Sequence, residues 1–309
     1  MSDYLWDKSG APDPAVERLE KLLSPLGLPP KPRAKISART WVPVAIAACL
    51  ALAWMVLNRM TPSWQVQTLA GSTRQTSLAR GQLLETDSHS RARLELNGVG
   101  QVEIDPDTRV RVVSMRPGNE RLELNRGTIH AEIWAPPGQF FVNTPSAVTV
   151  DLGCAYTLRV DDRGVGLVEV TVGWVAFESH GRESFIPAAA ACETRPGQGP
   201  GVPYYQDASA GLQQAVHQYD ADGDLAAVAA ILAEARQRDA ITLWHLLKRV
   251  PPAERGPVYD RMAALLAIPS GVTREGVIGG NSAMIESLWN SLDLGDTSWW
   301  RMWKSRTPE

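Results

Sequence analysis

Any chemistry in this chain would have to come from its histidines, acids and cysteines, so their types and spacing are read first. His89, His130, His180, His217 and His245 are scattered. No His-Glu-x-x-His, Gly-x-Ser-x-Gly or Gly-x-x-x-x-Gly-Lys pattern accompanies them, so neither a zinc protease, a serine hydrolase nor a phosphate loop is indicated. His130, between Thr128 and Glu132, reads as a solvent-facing strand residue. Asp220, Asp222 and Asp224 resemble the start of a calcium loop, but glycine falls at the fourth position of the run and Ile231 stands where the bidentate glutamate belongs. They read instead as caps for a helix starting near Leu225. Cys49 lies in an apolar run, which leaves Cys154 and Cys192 as a pair; one disulfide or two buried free thiols would both fit. The expectation is a protein with no catalytic activity, no metal and no cofactor.

Composition agrees with a folded chain. Apolar residues are 44% of the 309 and charged residues 21%, ample for a core. A net charge of −3 offers no broad basic surface, so direct nucleic-acid binding is not expected.

Stepping along the chain, residues 40–57, TWVPVAIAACLALAWMVL, carry no charge. Eighteen residues at ~1.5 Å each cover roughly 27 Å, so a single transmembrane helix is expected there. Lys21, Lys31, Arg33, Lys35 and Arg39 precede it, against Arg59 and Arg74 after it, which puts the N-terminus in the cytoplasm and the C-terminus on the other side of the membrane. Residues 1–38 form a short tail with a basic, proline-rich linker. Within that tail Asp13, Pro14 and Glu17 suit a helix start, and Val16, Leu19, Leu22, Leu23 and Leu26 make one apolar stripe at helical spacing. The tail is too short to bury that stripe by itself.

From about 64 to 200 the apolar period becomes two. Ala92, Leu94 and Leu96 alternate with charged neighbours, as do Leu122 and Leu124, then Ile129, Ala131 and Ile133, then Val148, Val150 and Leu152. Turn signals at Asn97-Gly98, Pro117-Gly118, Gly127, Pro137-Gly138, Gly164 and Gly181 separate the runs. The expected fold is mainly β, a sandwich, roll or short solenoid of antiparallel strands. After GQGPGVP the helical period returns over 208–309, as an all-α domain ending in Trp299, Trp300 and Trp303 among basic residues. That tryptophan-rich end either packs on the helices or rests on a membrane surface.

The stretch LELNRGTIHAEIWAPPGQFFVNTPSAVTVDLGCAYTLRVDDRGVGLVEVTVGWVAFE closely resembles the FecR family over about Gly81 to Gly197. Phe140, Val142, Thr144 and Pro145 fill the family's Phe-x-Val-x-Thr-Pro motif, and Gly153, Val170 and Gly173-Trp174-Val175 follow in order. Where the family often has threonine after that glycine, this chain has Cys154. The resemblance implies a single-pass regulator of the bacterial inner membrane, with a periplasmic sensor and a cytoplasmic segment holding an extracytoplasmic-function sigma factor. On that reading Trp6, Val16, Leu19, Leu22 and Leu23 contact the sigma factor, while the tail, with no His or Cys, departs from the zinc-containing anti-sigma type. The other reading is an anchored scaffold that docks an envelope protein or a glycan without controlling a sigma factor.

Overall fold

The computed structural model describes residues 13–27, 46–51, 54 and 62–294. The chain divides into two compact units, Met1–Met60 and Thr61–Glu309. In the first, helix α1 (Pro14–Leu23) is followed by a 3₁₀ turn, Ser24–Leu26. Asp13 caps it by accepting from the Ala15 N–H at 2.9 Å, and Pro14 supplies the first helical φ without wasting a hydrogen bond.

The expected transmembrane helix requires correction. Among the described residues no helix is long and apolar enough to cross a membrane. Within 40–57 helix is described only at residues 46–51 and 54. The rest of that stretch lies outside the described residues, as do Trp6 and the tryptophans at 299, 300 and 303.

Among its described residues the second unit has sixteen strands. The first six are β1 (Ser63–Ala70), β2 (Ser77–Ala79), β3 (Leu83–Glu85), β4 (Arg91–Glu95), β5 (Gly100–Ile104) and β6 (Arg109–Arg116). After them come β7 (Asn119–Ile133), β8 (Phe140–Asn143), β9 (Val148–Asp151), β10 (Ala155–Val160) and β11 (Gly166–Val172). The last are β12 (Trp174–Ser179), β13 (Arg182–Pro187), β14 (Ala190–Arg195), β15 (Gly199–Pro200) and β16 (Tyr204–Tyr205). Between β4 and β5 the Asn97-Gly98 pair makes the tight turn its sequence calls for, both residues at positive φ.

The long strand β7 belongs to two sheets. Its first half pairs with β6 and β8, and its second half with β5 and β10. The sequence dictates the change: Leu122 and Leu124 are buried at even positions, whereas Ile129, Ala131 and Ile133 are buried at odd ones. A flat strand cannot bury both sets on one face. The phase slips around Gly127, whose φ of 97° favours glycine and where a Cβ would collide with Thr108. One sheet thus runs β1-β4-β5-β7-β10-β11-β14, the other β3-β6-β7-β8-β9-β12-β13.

All the ladders are antiparallel except β7 with β8, which is parallel. This departs from the purely antiparallel expectation. A parallel partner normally needs a crossover of a dozen residues or more. Here only residues 134–139 intervene, because β7 has already changed sheet before the chain turns back beside its first half.

Helices follow the strands: α2 (Ala210–Asp222), α3 (Leu225–Glu234), α4 (Ala240–Leu247), α5 (Arg255–Leu265), α6 (Arg274–Ile278) and α7 (Ser282–Trp289). They share one buried cluster with the strands. Among its largest fully buried side chains are Phe140, Phe177, Phe185 and Trp244. Each such side chain contributes roughly 1.5–3 kcal/mol by leaving water.

Candidate functional site

On α1 the apolar stripe is uncovered. Leu19, Leu22, Leu23 and Leu26 are 57%, 75%, 53% and 78% exposed, Val16 is half-buried, and no residue of the helix is buried. Spacings of three and four residues align these side chains along one face. A ten-residue helix is marginal alone in water. Chemically, the stripe can only offer its apolar face to another surface.

In the β region the motif residues are structural. Phe140 and Val142 are fully buried. Thr144 Oγ1 accepts from the Ser146 and Ala147 N–H groups at 3.3 and 3.1 Å and donates to the Ala147 carbonyl at 2.9 Å, closing the β8–β9 turn. Ser146 then donates to the Gly164 carbonyl. The motif therefore fills the core and locks a turn.

Cys154 and Cys192 are free thiols, both buried, so the structure has the second of the two arrangements left open for them. Cys154 Sγ donates to Asp151 Oδ2 at 2.6 Å, and the Gly153 N–H donates to the other oxygen at 2.7 Å. Burial nevertheless pushes the Asp151 carboxyl up to about 7, against the pull of these donors. Burial and the facing Asp151 push the Cys154 thiol well above its ordinary value, which makes it a poor nucleophile. Cys192 sits against the Gly201 carbonyl at 3.3 Å.

The helices seal the open edge of β13. Along the strand, the Phe185 N–H turns away from β12 and donates to His245 Nε2 at 3.0 Å. His245 Nδ1 donates to the Ile241 carbonyl at 2.9 Å, which leaves Nε2 as the acceptor. Burial, with Arg249 beside it, holds this imidazole well below its usual range, so it stays neutral. Arg249 donates to the Glu183 carbonyl and to Ser184 Oγ at 3.4 and 2.5 Å. Around this polar seam Trp174 and Phe185 of the sheet meet Trp289 at 6.1 and 5.7 Å, and Trp244 meets Trp289 at 4.6 Å. The run LWHLL, a histidine inside an otherwise apolar helix, was the sequence signal for this junction.

The other singled-out residues separate. Asp224 caps α3 through the Ala226 N–H at 2.8 Å, as expected, but Asp220 accepts the Val202 N–H with both oxygens, at 3.1 and 2.8 Å. No three His, Cys, Asp or Glu side chains among the described residues converge as a metal site. His130 is half-exposed and bridges Asp105 and Thr157, each at 2.9 Å. His217 bonds Glu193 at 2.9 Å and Tyr204 at 3.1 Å, tying α2 to the strands.

Comparison with known proteins bears on the β region. The family model described as FecR protein matches residues 82–176. The chain carries a FecR domain. Two similar solved structures are crystal structures of a proposed anti-sigma factor from Parabacteroides distasonis, at 1.65 and 2.50 Å resolution. The first is 15% identical with a TM-score of 0.36 over 44% of this chain, the second 13% with 0.31 over 50%, and in each case the chain spans 65% of the other's length. No curated protein matches the sequence. The FecR match runs from Gln82, just before β3, to Ala176 within β12. It contains the bent β7 and the Phe-x-Val-x-Thr-Pro turn, and stops before β13 and the helices that cover it.

Proposed function

We propose that this chain is a FecR-type regulator in which α1 captures a sigma factor through its apolar stripe, while the FecR domain and the helices behind it receive the signal. The observation that carries the reading is the stripe itself. Four leucines more than half exposed lie on one face of a capped helix, aligned at helical spacing, whereas exposed apolar side chains of the β region such as Trp134 and Val172 stand apart from one another in the sequence. Covering them would contribute roughly 1.5–3 kcal/mol per side chain before the cost of ordering, enough for reversible capture. The FecR match supports a regulatory rather than a catalytic role.

The full chain, tagged and co-purified with the sigma factors of its own cell, tests this. Retention of a sigma factor that falls at least tenfold with Leu19→Asp or Leu22→Asp is the expected result. Failure to retain any, or retention indifferent to both substitutions, overturns it.

A further inference from the structure

A cavity of about 430 Å³ opens where the β14–β15 turn meets the end of α2 and the segment after α4. At ~30 Å³ per water it has room for about fourteen waters, or for a molecule of dipeptide size. Glycines keep it open: a Cβ at Gly197 or Gly223 would meet nothing within 4 Å, whereas one at Gly201 would collide with Asp220. The cavity lies outside the residues matched by the FecR model.

Its wall carries three guanidinium groups, Arg182, Arg195 and Arg249, and three carboxylates, Glu193, Asp220 and Asp222. Two of these charges are spent inside the wall. Glu193 pairs with Arg195 at 2.5 Å and with His217 at 2.9 Å. Among the described residues the other four make no direct ion pair. Arg182 donates to the Gln198 carbonyl at 3.1 Å, a neutral partner. Arg249 uses Nη2 on the Glu183 carbonyl and Ser184, while its buried Nη1 has no hydrogen-bond partner. Asp220 receives only the Val202 N–H.

Two cations and two anions without a direct ion pair, Arg249 and Asp220 attracting each other at longer range, line one water-accessible space and together are a specification. An anion alone would satisfy the arginines and be repelled by the aspartates, and an amine alone would meet the converse. We propose that this cavity binds a small zwitterion of dipeptide size, its carboxylate held by Arg182 and Arg249 and its ammonium group by Asp220 and Asp222. Burial pushes Asp220 up to about 6, against the pull of Arg249, so an arriving ammonium group would draw it fully into the charged form. Because Arg249 and Asp220 also hold β13 and Val202, an occupant would bridge sheet and helices across the cavity.

Calorimetric titration of the full chain with alanyl-alanine tests the proposal directly and does not depend on capture at α1. Alongside it run the N-acetylated dipeptide, which lacks the ammonium group, the C-amidated one, which lacks the carboxylate, and inorganic phosphate. One molecule bound per chain is expected, with each blocked form at least tenfold weaker. Arg182 and Asp222 are exposed, so Arg182→Gln and Asp222→Asn should leave the melting curve unchanged. Arg182→Gln should weaken the dipeptide about fivefold or more and abolish most of the penalty for amidation; Asp222→Asn should do the same for acetylation. No binding at millimolar dipeptide, equal binding of the blocked forms, phosphate binding as tightly as the dipeptide, or indifference to both substitutions would each overturn the assignment.

Discussion

Two helices of similar length treat apolar side chains in opposite ways. α4 buries all eight of its residues, and α1 buries none of its ten. Their local chemistry does not explain the difference, since α1 has the better start, with a side-chain cap that α4 lacks. What separates them is the surface below. α4 lies on the open edge of β13 and supplies the His245 acceptor, and Arg249 just beyond its end supplies the donors, so its burial completes a sheet edge. α1 has leucines enough for a seam, and none of its residues is buried. Burial therefore marks α4 as structure, whereas the exposed stripe of α1 is what the proposed capture rests on.

The comparison breaks most easily at Trp244, whose indole donates to the Ile285 carbonyl at 2.7 Å and packs edge-on against Trp289. Trp244→Ala should cost about 3–5 kcal/mol by opening a cavity and stranding that carbonyl. Urea unfolding of the variant should show either that loss or a separate early transition for the helices. A loss below about 1 kcal/mol would mean that the junction is not the sealed core described.

A smaller effect sharpens the same seam. The native imidazole of His245 takes up no proton until well below 6.5, whereas the unfolded chain takes one near 6.5. As pH falls through about 6.5 the unfolded state therefore gains a proton the native state lacks, and stability is lost by up to about 1.4 kcal/mol per pH unit. Asp151 and Asp220 act in the opposite sense. Raised to about 7 and about 6, they hold protons in the native state that the unfolded chain releases near 4, so their contribution is lost as pH rises from about 4 through 6 and 7. Because the three overlap, the difference between variants isolates the histidine. Between pH 6.5 and pH 5 the wild type should lose about 2 kcal/mol more than His245→Gln, in which the amide oxygen can still accept the Phe185 N–H. Parallel pH profiles would show the imidazole to be open to protonation in the folded state.

How far each feature was legible depended on the range of its cause. The Asn97-Gly98 turn carries its own geometry, whereas Gly127, expected as a turn between two runs, lies inside the single strand Asn119–Ile133, where it shifts the phase between Leu124 and Ile129 without ending the strand. The parallel pairing of β8 could not be read locally, because it follows from where the chain lies after β7 has changed sheet. Asp224 was legible as a cap, while Asp220 finds Val202 eighteen residues away, an encounter that only the docking of α2 creates. Residues 40–57 show the limit of a one-dimensional criterion: the absence of charge suggested a span that the described helices do not support. The stripe on α1 was legible in full as a pattern, and its exposure had to be seen.

The smallest expected effect is the one that decides what α1 is for. Leu22 is 75% exposed, so Leu22→Asp removes almost no burial and places a charge where water already is. The substitution should change the unfolding free energy by no more than about 0.5 kcal/mol, as surface changes away from caps and buried partners do. Leu243→Asp, at a fully buried position of α4, should by contrast leave little folded protein, since it sets an unpaired charge in the core. If Leu22→Asp instead lowered stability by 2 kcal/mol or more, the stripe would already be covered within the chain and α1 would belong with α4. If it left unfolding untouched while abolishing capture of a partner, the apolar face would owe its presence to binding alone, because nothing in the fold draws on it.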